Sequence, residues 1–452
     1  MADKIKRKMN LNAFLLGAGQ HLAAWRHPDS KTNGGYDLEN ISRLVQTAER
    51  GKLDAIFFAD ILGIPPAPTP EARAQTVNYI GFEPTTLLAY LAAITKSIGL
   101  IGTVSTTYIE PFHLARKFAS LDHLSKGRVG WNLVTSATDF EANNFSLEKQ
   151  KNHALRYEIA REFVDVVKGL WDSFEDDAFV LDKVNARFAD PQKVHELNHK
   201  GKYYSVRGPL HVPRPIQGYP VLVQAGSSDD GQDLAAYSAE VVFTAQRSIE
   251  DGQEFYKSLK SKLAKYGRTE DELKILPGIS IIVGQSADEA KEKYEFLQEL
   301  IPEASGLNML SWLGIDFSKY PIDGPFPILP SIEGALSRQK LLNELAQREN
   351  LTIRQVYQRA ASARGHFSIY GTPQTITDQL EEWFSGGAAD GFNIMPPILP
   401  SGLTEFVDQI VPELQRRDLF RIDYEGSTLR ENLGLKRPIN QYTLKKSAKI
   451  ES

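Results

Sequence analysis

Four short apolar runs of this chain end in side chains that are able to bind a small molecule. The four ends are Phe57-Phe58-Ala59-Asp60, Thr103-Val104-Ser105-Thr106-Thr107, Asn132-Leu133-Val134-Thr135-Ser136 and Gln224-Ala225-Gly226-Ser227-Ser228. Their hydroxyl, amide and carboxyl groups are suited to hydrogen bonding with a ligand. Because Ser and Asp also cap helices, one such end alone would mean little. Four together indicate a binding face lined by hydrogen-bonding groups.

The Gly226-Ser227-Ser228 turn has the features of a phosphate-binding site. It lies directly before a helical segment, whose free N–H groups and positive dipole end attract anions. Glycine allows the backbone to approach a ligand closely, and the two hydroxyl groups add donors. The alternative, that the serines only cap the helix, stays open from the residues alone.

Aromatic and imidazole side chains follow two of the apolar runs. His153 and Tyr157 lie four residues apart at the start of a helical segment and therefore share one face of it. His21 and Trp25 follow the first run, after the loop sequence Gly17-Ala18-Gly19-Gln20. Aromatic side chains around one cavity suit a planar or apolar ligand. For His153 the alternative is a solvent-exposed helix start.

Familiar catalytic motifs are absent or lack the context that they need. His195-Glu196-Leu197-Asn198-His199 matches a zinc-protease pattern, but Pro191 and Gly201 flank it and argue against the continuous helix that zinc binding requires. Gly17-Ala18-Gly19 lacks the third glycine of a dinucleotide fingerprint, and the sequence contains neither a P-loop nor a nucleophile elbow. The chain has no cysteine. We therefore expect ligand binding without a metal.

The elements that must position these residues alternate along the chain. Apolar runs and amphipathic helical segments follow one another, which is typical of βα units and a parallel sheet. The strand candidates are 11–16, 55–58, 100–104, 129–134, 221–224, 241–244, 275–283 and 392–395. Eight such units predict an α/β fold, the (β/α)8 TIM barrel with long insertions, in which ligand-binding groups lie at the C-terminal ends of the strands.

The length of the chain predicts where the insertions lie. A barrel of this class needs about 250 residues, whereas this chain has 452. We predict a single domain over residues 1–452 with insertions at about 61–82, 174–220 and 301–371. The last insertion is a candidate lid, because it is long and follows a strand on the binding side of the barrel.

Composition excludes several classes of partner. The net charge of −5 is spread along the chain, so neither nucleic acid nor an anionic membrane surface is an expected partner. No apolar run approaches the roughly 18 residues that cross a bilayer. We expect a soluble cytoplasmic protein.

Longer stretches of the sequence carry a resemblance to a known family. They include Ala24-Trp25-Arg26-His27-Pro28, Ser120-Leu121-Asp122-His123-Leu124-Ser125-Lys126-Gly127-Arg128, Gly130-Trp131-Asn132-Leu133-Val134-Thr135-Ser136, 153–157, 198–203 and Thr428-Leu429-Arg430-Glu431-Asn432-Leu433-Gly434. In this order they resemble the bacterial luciferase-like FMN-dependent monooxygenases. The most similar branch contains the nitrilotriacetate and dibenzothiophene-sulfone monooxygenases and the Bacillus enzymes of S-modified cysteine breakdown. The likeness covers about residues 9–438.

The resemblance implies a TIM barrel that binds reduced FMN (FMNH2) as a co-substrate from a separate NAD(P)H:flavin reductase. Reduced flavin and O2 would form a C4a-(hydro)peroxide that transfers one oxygen atom to a small-molecule substrate. By position in the family's motifs, the expected cofactor contacts are Asp60, Thr103, His153, Tyr157, Ser227 and Ser228, joined by Asn132 and Ser136 on the same face. His21, Phe58 and His153 are the groups expected beside the peroxide and the substrate.

The same resemblance favours a small sulfur- or nitrogen-containing substrate, in particular an S-substituted (N-acetyl)cysteine. Arg26, Arg364 and His366 would hold its carboxylate, unless they form surface ion pairs. The alternatives are an aminopolycarboxylate or an aryl sulfone as substrate, a deazaflavin (F420)-type oxidoreductase, and a flavin-binding protein without turnover. Family likeness also predicts a homodimer or a homotetramer.

Overall fold

The computed structural model describes residues 7–67, 69–75, 80–310, 313, 315–329, 343, 346–363 and 365–450. Within this part of the chain, eight parallel strands close into a barrel. They are Asn10–Phe14 (β1), Ala55–Phe58 (β2), Gly99–Ser105 (β3), Val129–Val134 (β4), Val221–Gln224 (β5), Val241–Thr244 (β6), Lys274–Val283 (β7) and Gly391–Ile394 (β8). Each strand pairs with the next, and β8 returns to β1 with Asn393 opposite Asn12. The predicted TIM-barrel class is confirmed.

Helices surround the strands, and polar side chains start most of them. The described α-helices of eight or more residues are Leu38–Arg50 (α1), Pro84–Ile94 (α2), Pro111–Leu124 (α3), His153–Trp171 (α4), Asp229–Ser238 (α5), Ile249–Lys262 (α6), Ala287–Glu299 (α7), Glu303–Leu310 (α8), Ile353–Ala363 (α9), Pro373–Ser385 (α10) and Gln441–Ile450 (α11). The helix after β8 consists of Ser401–Glu405 and Val411–Arg416, joined by a π-helical turn. Ser228, Ser248 and Ser286 cap α5, α6 and α7 by accepting a backbone N–H.

The alternation of each strand decides which side chains enter the barrel. Leu11 and Ala13 of β1 and Phe58 of β2 belong to the large apolar cluster between the strands and the outer helices. Phe14 and Phe57 belong to a second cluster inside the barrel. Neighbouring residues of a strand point to opposite faces of the sheet, which separates Phe57 from Phe58.

An additional parallel strand, Phe367–Gly371, lies beside the barrel and was not predicted. It pairs with Ile279–Val283, the second half of β7, whereas β6 pairs with Lys274–Pro277 of the first half. The ten-residue β7 extends past the end of β6 and leaves an edge for another strand to cover. These residues fall within the insertion predicted over residues 301–371, before β8.

The long insertions carry their own structure. Residues 174–220 contain two small antiparallel hairpins, Phe179–Asp182 with Arg187–Ala189 and His199–Lys200 with Ser205–Val206. Helices α8 and α9 lie in the last insertion, where Phe317, Phe326 and Tyr357 belong to a separate apolar cluster. A single domain and a lid role for residues 301–371 remain predictions. In the ranges described, no helix is both long and apolar enough to cross a membrane.

Candidate active site

The floor of the candidate site is a cluster of phenylalanines at the C-terminal end of the barrel. The ring of Phe14 lies 4.9 Å from Phe57 and 5.7 Å from Phe243, and the rings of Phe57 and Phe243 are 5.7 Å apart. Directly beyond the buried strands, Ala59 and Ala225 are exposed. We call this end of the barrel its mouth, and these three rings form an apolar, aromatic floor there. Sequence reasoning missed these three rings, although their alternation with outward-facing residues was a usable signal.

Polar groups of β3 and β4 form one wall of this mouth. The Thr103 hydroxyl donates to the carbonyl oxygen of Phe58 over 2.8 Å, and the Asn132 amide nitrogen donates to Thr103 Oγ1 over 2.8 Å. The buried Oδ1 of Asn132 accepts no hydrogen bond from any residue that the structure describes. Burying an acceptor without a donor costs free energy. This oxygen is thus suited to a ligand N–H group.

Ser136 lies at the end of the same wall in a left-handed backbone conformation, with φ of 46°. Its hydroxyl donates to Ser105 Oγ over 2.9 Å, and Glu141 Oε1 is 3.2 Å away. The Arg156 guanidinium donates to the Ser136 carbonyl oxygen and, over 3.1 Å, to Thr135 Oγ1. These bonds hold the loop after β4 in a defined position.

The N-termini of α4 and α5 meet at another side of the mouth. Ser228 Oγ accepts the Gly231 N–H over 3.2 Å and lies 3.3 Å from His153 Nε2. His153 Nδ1 lies 2.9 Å from Asp230 Oδ2, and its ring centroid lies 4.8 Å from that of Tyr157. Ser228 therefore caps the helix, and the turn that contains it also meets the predicted pair His153 and Tyr157. The exposed Ser227 adjoins this group.

Asp60 is an acidic group at the end of β2. Burial raises the pKa of Asp60 to about 6, and the neighbouring carboxylates of Glu83 and Glu141 act in the same direction. A hydrogen bond from the Ile61 backbone opposes this rise. Desolvation and like charge both disfavour the carboxylate form of Asp60, which is why its pKa rises.

Asp60→Asn is expected to stabilise the protein above pH 6 and not near pH 4. The folded pKa lies above the unfolded value of about 3.9, so the stability from this group is present below pH 4 and is lost as the pH rises through 6. The amide avoids that loss, which we estimate at about 1 kcal/mol because the side chain is partly exposed. Melting temperatures of parent and variant between pH 4 and pH 8 test this. Parallel curves would contradict the assignment.

Two of the predicted catalytic side chains, His21 and Phe58, are buried. His21 is buried, where Nδ1 accepts the Ala23 N–H over 3.1 Å and Nε2 lies 3.3 Å from Nε2 of Gln298 in α7. The Phe58 ring belongs to the outer cluster, so only the backbone oxygen of Phe58 meets Thr103. Their catalytic roles stay predictions.

The three basic residues predicted to hold a carboxylate lie in different settings. The Arg26 guanidinium donates to the Leu300 carbonyl oxygen at the end of α7. Arg364 lies outside the described residues. His366 stacks on Phe243 at the floor of the mouth, with ring centroids 5.0 Å apart.

The zinc-protease-like stretch is not a helix. His195 contacts Glu175 at 2.8 Å, whereas His199 lies in a hairpin strand and contacts Glu162 at 3.0 Å. The two imidazoles thus pair with different carboxylates. Among the residues that the structure describes, no group of three or more His, Cys, Asp or Glu side chains could hold a metal ion.

Comparison with known proteins connects this barrel mouth to one family. The family model described as luciferase-like monooxygenase matches residues 19–390, which is most of the chain. The chain belongs to the luciferase-like monooxygenase family. The resemblance found in the sequence is confirmed, and the protein is an enzyme of this family.

Relatives and one solved structure match over nearly the whole chain. The chain is 52% identical to N-acetyl-S-(2-succino)cysteine monooxygenase of Bacillus subtilis, covering 97% of this chain and 99% of that protein. It is 49% identical to nitrilotriacetate monooxygenase component A of Aminobacter aminovorans, covering 96% and 98%. Among solved structures, the chain is similar to a crystal structure of riboflavin lyase with modified FMN and riboflavin. The two sequences are 29% identical, the TM-score is 0.84, and the match covers 96% of this chain and 97% of that chain.

Proposed function

We propose that this protein is the oxygenase component of a two-component system that uses reduced FMN and O2 to oxygenate a small thioether. The observation that carries the proposal is the mouth itself. An aromatic floor adjoins a wall with a free buried acceptor on one side and the serine-capped N-terminus of α5 on the other. Flavin mononucleotide needs these surroundings, because it joins a planar ring with polar edges to a phosphate.

The residues present fit the flavin. Ser227, Ser228 and the free N–H groups of α5 would hold the phosphate, with His153 and Tyr157 beside it. Asn132 Oδ1 would accept from an N–H of the ring, and Thr103 orients that amide through its hydrogen bond. Asp60 and Ser136 lie near the same wall and are proposed as further contacts.

Reduced flavin supplies two electrons when bound and activates O2 for transfer of one oxygen atom. The protein contributes binding, orientation and exclusion of water. Phe14, Phe57 and Phe243 provide the apolar surface, and we propose that the insertion over residues 301–371 closes above it. Overall, FMNH2, O2 and a thioether give FMN, a sulfoxide and water. If the carbon beside sulfur takes the oxygen instead, the hydroxylated product divides into a thiol and a carbonyl compound.

We propose a substrate with several carboxylates. The two relatives are named after N-acetyl-S-(2-succino)cysteine and nitrilotriacetate. Each compound carries three carboxylates around a sulfur or a nitrogen atom. Arg247 follows β6 at the mouth, is exposed, and forms no ion pair within the described residues. A guanidinium in this position is suited to bind a carboxylate. The aminopolycarboxylate class remains the second candidate, on the strength of the 49% identical relative.

The decisive experiment measures product formation in a reconstituted system. Purified protein is mixed with FMN, NADH, a flavin reductase and either N-acetyl-S-(2-succino)cysteine, nitrilotriacetate or dibenzothiophene sulfone. We expect an oxygenated or cleaved product from the thioether by mass spectrometry, only when reductase and NADH are both present. Release of H2O2 without product from any compound would reject the substrate class. No binding of FMN would reject the proposed function itself.

A further inference from the structure

One imidazole lies on the aromatic floor of the barrel mouth. The ring of His366 is stacked on Phe243, with centroids 5.0 Å apart and planes within 8° of each other. Phe243 in turn contacts Phe14 and Phe57. The side chain is partly exposed. A group that can hold a proton therefore adjoins the apolar surface on which we place the flavin.

Gly278 of β7 provides the space for this imidazole. A Cβ atom at position 278 would lie 2.4 Å from His366 Nδ1, 2.7 Å from Met395 Sδ and 2.7 Å from Phe243 Cε2. Real Cβ atoms essentially never approach so closely. Any larger side chain at this inward-facing position would push His366 away from the floor.

The additional strand explains how His366 reaches the mouth. His366 directly precedes Phe367, which pairs with Ile279 of β7 at the level just beyond Gly278. The pairing of Phe367–Gly371 with Ile279–Val283 therefore fixes the start of the additional strand against the second half of β7. Because the register of a parallel pair is set by its backbone hydrogen bonds, His366 is held at one height above the barrel floor.

The two histidines predicted beside the reacting centre contact other elements. His21 lies against Gln298 of α7, and His153 lies between Ser228 and Asp230 at the proposed phosphate end. Of the histidines that the structure describes, His366 is the one stacked on the aromatic floor.

We infer that His366 is the proton-donating residue of the oxygenation reaction, an inference that rests on the proposed function. O2 takes two electrons from FMNH2 and two from the substrate; one oxygen atom enters the substrate and the other leaves as water. The two protons that FMNH2 releases balance the two that this water contains. A ring nitrogen of His366 would donate one proton to the oxygen atom that leaves as water, and the ring would then be reprotonated at the expense of one of the two protons released. An imidazole is suited to this task because its pKa lies near neutral pH.

The position of His366 is tested without turnover by chemical modification. Diethyl pyrocarbonate labels accessible imidazoles, and mass spectrometry follows the rate at each histidine. We expect FMN to slow labelling of His366 about fivefold, because a bound ligand covers the side chains that line its pocket and keeps the reagent from them. His211 is the matched control: it is exposed and stacks on Phe112, with centroids 6.4 Å apart, and not on a ring of the aromatic floor. Its rate should not change.

Two substitutions test the chemical role. His366→Phe keeps a ring against Phe243 but has no proton to give, and His366→Asn keeps a polar donor without the imidazole. Both variants should bind FMN as the parent does, yet the ratio of oxygenated product to H2O2 should fall by about tenfold or more. His211→Phe should retain the parent ratio. A parent-like ratio in His366→Phe would overturn the inference.

The outcomes separate this inference from the proposed function. Protection of His153 by FMN without protection of His366 would keep the flavin site and overturn the role of His366. If FMN protects neither histidine and titration detects no binding, the proposed function fails and this inference fails with it.

Discussion

Arg430→Ala should lower the free energy of unfolding by about 3–5 kcal/mol, because it leaves the mostly buried carboxylate of Glu240 without its partner. Arg430 is 1% exposed, and its guanidinium bonds to both carboxylate oxygens of Glu240, with Nη2 2.8 Å from Oε2. It also donates to the Tyr219 and Lys436 carbonyl oxygens, each over 3.0 Å. The apparent melting temperature should fall by about 3–5 °C for a chain of this size.

The loss should depend on pH in a defined direction. Burial acts to raise the pKa of Glu240, but the adjacent Arg430 and its hydrogen bonds outweigh burial and lower the pKa. The stability that the pair contributes is therefore present above the unfolded pKa of about 4.3 and is lost as the pH falls through the lower, folded value. Parent and Arg430→Ala should differ most at neutral pH and converge in acid.

Two further variants control this prediction. Arg416→Ala removes an exposed guanidinium from Glu413, which keeps its bond to Arg417, and should cost under about 1 kcal/mol. Adding Glu240→Leu to Arg430→Ala removes the unpaired carboxylate and should recover part of the stability. Equal melting temperatures for the parent and Arg430→Ala at pH 7 would contradict the expected cost.

The second prediction concerns the phosphate end of the mouth. The double variant His153→Ala and Ser228→Ala should weaken FMN binding about 10- to 100-fold, while riboflavin binding should change less than about threefold. Hydrogen bonds to a charged group contribute roughly 1.5–3 kcal/mol, and about 1.4 kcal/mol corresponds to tenfold. Riboflavin lacks the phosphate, so its affinity does not depend on these two side chains. Quenching of flavin fluorescence measures both affinities.

Ser286 offers a matched control for the structural part of this change. Ser286 caps α7 as Ser228 caps α5, and in each case the hydroxyl accepts a backbone N–H over 3.2 Å. Replacing either serine with alanine should cost about 1 kcal/mol of stability. Only the Ser228 variant should lose FMN affinity. A parallel loss of riboflavin affinity in the double variant would point to distortion of the loop and not to a phosphate contact.

The strand ends could be predicted from sequence because they are local patterns. Asp60, Thr103, Asn132, Ser136 and Ser228 follow apolar runs, and a parallel barrel brings the C-terminal ends of its strands together whatever its details. Pairing of His153 with Tyr157 follows from helical spacing alone. These features need no knowledge of contacts between distant parts of the chain.

The sequence did not show which face of a strand points into the barrel. Phe58 was the phenylalanine selected at the end of β2, yet Phe57 lies on the inner floor and Phe58 in the outer cluster. The predicted bounds of this strand, 55–58, match the structure, so the error lies in which of its faces points inward. Alternation divides the residues of a strand between two faces but does not say which face is the inner one. The inner and the outer cluster are both apolar, so the composition of the strand does not tell its inner face from its outer face.

The sequence by itself therefore determined the order of the βα units, the barrel, and the ring of hydrogen-bonding groups at the strand ends, because each depends on periodicity over a few residues. Only the tertiary structure decided that His366 lies on Phe243 while His21 turns toward α7. It also decided the pairing of Arg430 with Glu240, 190 residues apart in the chain. Such contacts arise when distant segments close around a common core, and no local propensity encodes which partners then meet.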